Sequence, residues 1–139
     1  MPMHILQIGN SDAEHVRLSF EDADLEHGRL YCAITIKVDR FSGDITADYE
    51  NRDFVKLQND LIKLNQTLSG TAVLYHRDEQ FVLEFEGDGL GHITISGTAF
   101  AYPTYGNKLD FSLAIDQSYL PALITQLQNI NKVISDVGI

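Results

Sequence analysis

The sequence predicts a single α+β domain over residues 1–139. It should be a largely antiparallel β-meander of about eight strands, strongly curved or folded into two layers, with two packed helices at about 51–68 and 118–135. Three observations predict this. Leu109, Phe111, Leu113 and Ile115 alternate with Lys108, Asp110, Ser112 and Ala114, the period of a half-buried strand. Leu120, Leu123, Ile124, Leu127, Ile130 and Ile134 form one stripe at helical spacing. Short turns separate successive apolar runs, which pairs neighbouring strands antiparallel. Eight strands rarely stay in one flat sheet, hence the curvature. A sheet with one apolar face and helices with one apolar stripe bury each other.

The elements follow in order. His4–Ile8 is a short strand ended by Gly9 to Asp12, and His15–Phe20 alternates with Val16, Leu18 and Phe20 inward. Glu21 to Gly28 is an acidic connection, and Arg29–Val38 is a third strand. Asp39 to Asp44 turns into a fourth, Ile45–Tyr49, whose polar face carries Asp44, Thr46, Asp48 and Glu50. A helix begins at Asn51, capped by Asn51 or Asp53, and buries Phe54, Leu57, Leu61, Leu64 and Leu68. Gly70 is the expected left-handed stop. Thr71–His76 and Phe81–Glu86 form a hairpin across Arg77 to Gln80. Gly91–Tyr102 and Leu109–Ile115 form another across Pro103 to Asn107. Asp116 and Ser118 suit the cap of the closing helix, where Pro121 is tolerated in the first turn.

Composition narrows the functional classes. Net charge is −10, from 20 acids and 10 bases, and the first fifty residues hold ten acids against four bases. Nucleic-acid binding needs clustered Lys and Arg, and so does attachment to anionic membranes, so both are disfavoured. The field of such a chain attracts a basic partner, although acidity also serves solubility. No signal peptide or membrane-spanning run of roughly 18 apolar residues is visible, which predicts a cytoplasmic protein. Cys32 is the single cysteine, shares a strand face with Leu30, Ile34 and Ile36, and reads as a small buried hydrophobe.

No constellation predicts catalysis, a cofactor or a metal site. Glu84 and Glu86 share a strand face, with Asp88 just beyond, and paired carboxylates are raw material for hydrolysis or cation binding. The alternation of Phe81, Leu83 and Phe85 explains the same pattern as a solvated face. Asp22, Asp24 and Glu26 have the spacing of a calcium loop, but His27 stands where Gly is needed. The five histidines form no metal motif. His92 is expected to orient a turn or bond an acid. Tyr102 and Tyr105 on the closing hairpin are the candidate interface anchors.

Several ordered pieces resemble the WapI-type immunity proteins of bacteria. They are Phe41-Ser42-Gly43; Phe54 with Leu57, Leu61 and Leu64; Leu68-Ser69-Gly70; Gly91-His92-Ile93 with Gly97; and Asp116-Gln117-Ser118-Tyr119-Leu120. The resemblance runs from about Arg40 to Ile134 and rests on scaffold positions. It implies a non-enzymatic cytosolic protein that neutralises a cognate contact-dependent toxin domain, typically a nuclease, by forming a complex without a cofactor. The expected contacts are the acids Asp44, Asp48 and Glu50, with Glu84 and Glu86, together with Tyr102 and Tyr105, on a monomer or weak homodimer. Two alternatives stand beside this reading: a small carboxylate hydrolase or ligand-binding protein using Glu84 and Glu86, and a non-catalytic oligomer paired through the Tyr102 and Tyr105 hairpin.

Overall fold

The computed structural model describes residues 3–9, 11–26, 29–103 and 105–137. His27 and Gly28 of the acidic connection and Thr104 at the hairpin tip lie outside the described residues. The order is β1 (His4–Ile8), β2 (Glu14–Phe20), β3 (Leu25–Glu26), β4 (Arg29–Val38), β5 (Phe41–Glu50), α1 (Asn51–Thr67), β6 (Ser69–Leu74), β7 (Phe81–Asp88), β8 (His92–Tyr102), β9 (Tyr105–Asp116) and α2 (Leu120–Val137). The fold is α+β, with every strand pair antiparallel. The ninth strand is β3, two residues in the acidic connection that pair with Arg29 and Leu30.

Two sheets divide the chain. In the first, β4 is central, with β2 and then β1 on one side and β5 on the other. The second runs β6-β7-β8-β9 in chain order. Alternation puts Leu6, Leu18 and Ile34 on the inner face of the first sheet, and Phe81, Leu83, Phe85, Ile93 and Ile95 on that of the second. The helices lie against each other, with α1 along β6 and α2 along β1. Phe54, Leu57, Leu61 and Leu64 of α1 and Leu123, Leu127 and Ile134 of α2 complete one continuous core.

Local details depart from the sequence expectations in physically informative ways. β5 starts at Phe41, because only Asp39 and Arg40 make the turn and Asp39 takes the positive φ of 51°. At the start of α1 the N-cap is Glu50, and Asp53 accepts its backbone N–H at 2.9 Å, a reciprocal cap across the first turn. The left-handed residue that ends α1 is Leu68, at φ 61°, and its N–H donates to the Leu64 carbonyl at 2.8 Å. Gly70 also has positive φ but already belongs to β6. Before α2, Asp116 accepts the Ser118 N–H at 2.9 Å and caps a 3-10 turn over Gln117–Tyr119, so the α-helix starts two residues later than its pattern predicts.

The β1 edge is closed by α2. Gln7 donates its N–H to the Gln126 side chain at 2.8 Å, and its carbonyl accepts from the Tyr119 hydroxyl at 2.9 Å. The edge of β6 lies against α1. Such covering removes templates for stray strand pairing.

Candidate functional site

A concavity runs along the edge of β5. It has a volume of about 670 Å³ and is walled by β4 and β5 on one side and by Gln80 and the end of β8 (Ala101, Tyr102, Pro103) on the other. A second hollow of about 250 Å³ adjoins it, sharing Asp44, Ile45 and Ala101, with Phe41, Ile36, Ala99 and Leu109 in its walls. Together they form one groove between the first sheet and the β8–β9 hairpin.

The rim of this groove is aromatic. Among the described residues nine large apolar side chains are exposed. Four of them gather here: Tyr31 (41% exposed), Phe41 (66%), Tyr102 (55%) and Tyr105 (63%). Tyr102 and Tyr105 face each other across the hairpin with ring centroids 5.0 Å apart and planes 15° from parallel. Gly106, at φ 86°, makes room for that stack, since a Cβ there would lie 3.0 Å from the Tyr102 ring. Exposed aromatic surface of this density is what protein interfaces contain and ordinary surfaces lack.

The acids predicted from sequence separate into three electrostatic situations. Asp44 is exposed at the groove and accepts a hydrogen bond from the Thr35 hydroxyl at 2.9 Å, with no cation paired to it among the described residues. Asp48 lines the same groove but is compensated. Arg29 donates to it at 2.8 Å, and Arg77 approaches to 3.7 Å. Buried His76 accepts the Gln80 N–H on Nδ1, which leaves its proton on Nε2, 3.4 Å from Asp48. Glu50 is held by Arg52 at 2.5 Å and Arg29 at 3.8 Å. Asp48 and Glu50 therefore share three arginines and present little net negative charge.

Glu84 and Glu86 lie elsewhere, on the exposed outer face of the second sheet. Their cross-strand neighbours are Ser96 and Thr94 on β8, and neither glutamate has an ion-pair or hydrogen-bond partner among the described residues. A shallow depression of about 340 Å³ beside Glu84 takes in Asp110, not Glu86. The two glutamates thus do not converge on one cavity. Among the described residues no group of three or more His, Cys, Asp and Glu side chains is placed to hold a metal ion.

Two other polar residues do structural work. His92 pairs with Asp88 at 2.8 Å, and Asp88 also accepts the Leu90 N–H at 2.7 Å. Those bonds, the Leu90 N–H foremost, hold the Asp88 carboxyl below its ordinary range. Cys32 is fully buried, and burial pushes its thiol far above the range in which a thiolate forms. Among the described residues no helix is long and apolar enough to cross a membrane.

Sequence reasoning found Asp44, Asp48 and Tyr102 but missed Tyr31, Phe41 and Ile45 as their companions. Phe41 was legible only as a turn residue, and Tyr31 only as the outward side of a strand. Their union needs the second sheet to bring its hairpin up to β5.

Comparison with known proteins agrees with this architecture. No curated protein matches the chain. A chain of the Trypanosoma bruciei MRP1/MRP2 crystal structures superposes with a TM-score of 0.50 at 10% identity, covering 94% of this chain and 86% of that one. At such identity the likeness is one of fold alone. The model of the immunity protein WapI-like family matches residues 7–133, which extends well before the Arg40 boundary drawn from motifs. With the end of β1 through most of α2 inside that match, the chain belongs to the WapI-like immunity protein family.

Proposed function

We propose that this protein neutralises a cognate contact-dependent toxin domain by binding it, without catalysis or cofactor, in the cytoplasm. The toxin is a basic domain, in the first instance a nuclease. The carrying observation is the groove along β5: exposed Tyr31 and Tyr102 line its larger hollow with Asp44, Phe41 lines the smaller one, and Tyr105 stacks on Tyr102. Family membership supplies the immunity role. Tyr102 and Tyr105 are the central anchors, because rigid aromatic rings gain buried area at little entropic cost. Asp44 is the leading acidic contact, Asp48 and Glu50 hold the wall through their arginines, and Glu84 and Glu86 contribute to the long-range field that draws a basic partner in.

The test is co-expression with any toxin-like C-terminal domain found encoded beside this chain. Growth rescue and a co-purifying complex are expected. Replacing Tyr102 and Tyr105 together with Ala should weaken the complex at least about tenfold, or 1.4 kcal/mol. A complex indifferent to both tyrosines would move the interface off the groove. Absence of rescue and of any complex would remove the immunity reading.

A further inference from the structure

The β5 edge is more than a wall of the groove. Val38 and Phe41 close a two-residue turn, so the hydrogen-bonded pairs to β4 recur at Gly43, Ile45 and Ala47. The N–H and C=O groups of Ser42, Asp44 and Thr46 consequently point away from β4, into the groove. No backbone or side-chain hydrogen bond reaches these edge groups from elsewhere among the described residues. By contrast, the β1 edge is occupied at Gln7 by Gln126 and Tyr119. An open ladder beside a cavity of several hundred cubic ångströms has the dimensions of a missing strand.

We infer that β5 receives an extended segment of the partner as an added strand of the first sheet. This deepens the toxin-binding reading and rests on it. Strand periodicity sets the chemistry of the guest. Side chains on its inner face meet Ile45, Ala99 and Leu109 in the smaller hollow and are apolar. Those on its outer face pass Asp44, which lacks a cation, and are basic. The occupant is thus a segment of alternating apolar and Lys or Arg residues from a basic protein. Main-chain bonds to Ser42, Asp44 and Thr46 supply register, and the Tyr102–Tyr105 stack closes over it from the hairpin side.

Amide hydrogen exchange on the complex with whichever toxin domain the co-expression test captures tests this. In the free protein the Asp44 and Thr46 amides should exchange fast and those of Gly43 and Ile45 slowly. In the complex, Asp44 and Thr46 should slow by at least about tenfold. Thr46→Pro removes one edge donor without touching a bond to β4, and should weaken the complex while the free protein keeps its strand exchange pattern. Should Thr46→Pro disturb folding, Asp44→Lys replaces it, with an expected affinity loss of about tenfold that shrinks as salt rises. A tight complex whose Asp44 and Thr46 amides exchange as in the free chain would overturn the added strand and leave the neutralising function standing. Failure to form any complex would overturn both.

Discussion

At the residue scale, Gly97 sets how closely the second sheet packs its own strands. Its backbone lies beneath the Phe111 ring, and a Cβ there would fall 2.2 Å from Phe111 Cζ. Phe111 in turn stacks on Phe81 with centroids 6.3 Å apart. Gly97→Ala must therefore displace a buried aromatic pair, and is expected to cost about 1–3 kcal/mol in urea denaturation. Gly43 is the matched control. It has no atom within 4 Å of an added Cβ and no positive φ, so Gly43→Ala should change stability by less than about 0.5 kcal/mol. Equal effects at the two positions would show that Phe111 can move aside freely. Asp88 gives a pH prediction at the same scale. Its folded carboxyl is depressed, so its contribution is complete above the unfolded carboxylate range, about pH 4, and is lost as pH falls through the folded value. Asp88→Asn should flatten that acid limb of the stability curve. An unchanged limb would assign it to other carboxylates.

At the element scale, each helix is tied to a strand by few but specific bonds. α1 begins directly where β5 ends, with Glu50 and Asp53 closing the first turn between them. α2 and the 3-10 turn before it are strapped to β1 across most of the sequence, chiefly through Gln126 and Tyr119 onto Gln7. That strap both docks the last helix and blocks an edge that would otherwise pair promiscuously. Tyr119→Phe removes one bond to a carbonyl and should cost about 0.5–1.5 kcal/mol. It should also speed hydrogen exchange in β1 before it does so in β8. Uniform acceleration across both sheets would mean that α2 docks through its apolar stripe alone.

At the scale of the whole molecule, charge and shape cooperate without coinciding. The chain carries −10, yet Asp48 in the groove wall and Glu50 at the end of the same strand are balanced by Arg29, Arg52 and Arg77. Asp44 and the outer face of the second sheet, where Glu84 and Glu86 have no partner among the described residues, contribute negative charge that no cation offsets there. Under the proposed function, steering and docking fall to different surfaces. Association with a basic toxin domain should slow as ionic strength rises, with the dissociation rate changing far less. Glu84→Lys with Glu86→Lys should lower the association rate and leave dissociation nearly untouched. A change confined to dissociation would place these glutamates inside the contact.

Much of the fold was legible because burial imposes a period. Alternation marked β2, β4, β7 and β9, and the helical stripe marked α1 and α2 to within two residues at each start. Ends set by side-chain caps, such as Glu50 and Leu68, were less legible, since several neighbours offer the same chemistry and packing selects among them. The two-residue β3 carries no pattern at all. For the site, the sequence alone determined which side chains face outward and that the chain is acidic. Only the tertiary structure decided which of those side chains meet. It placed Asp44, Tyr31 and Tyr102 around one hollow with Phe41 in the adjoining one, paired Asp48 and Glu50 with arginines, and put Glu84 and Glu86 on another sheet. The physical reason is that strand period is a local property, whereas a groove is made by two sheets whose relative placement depends on the core and the helices between them.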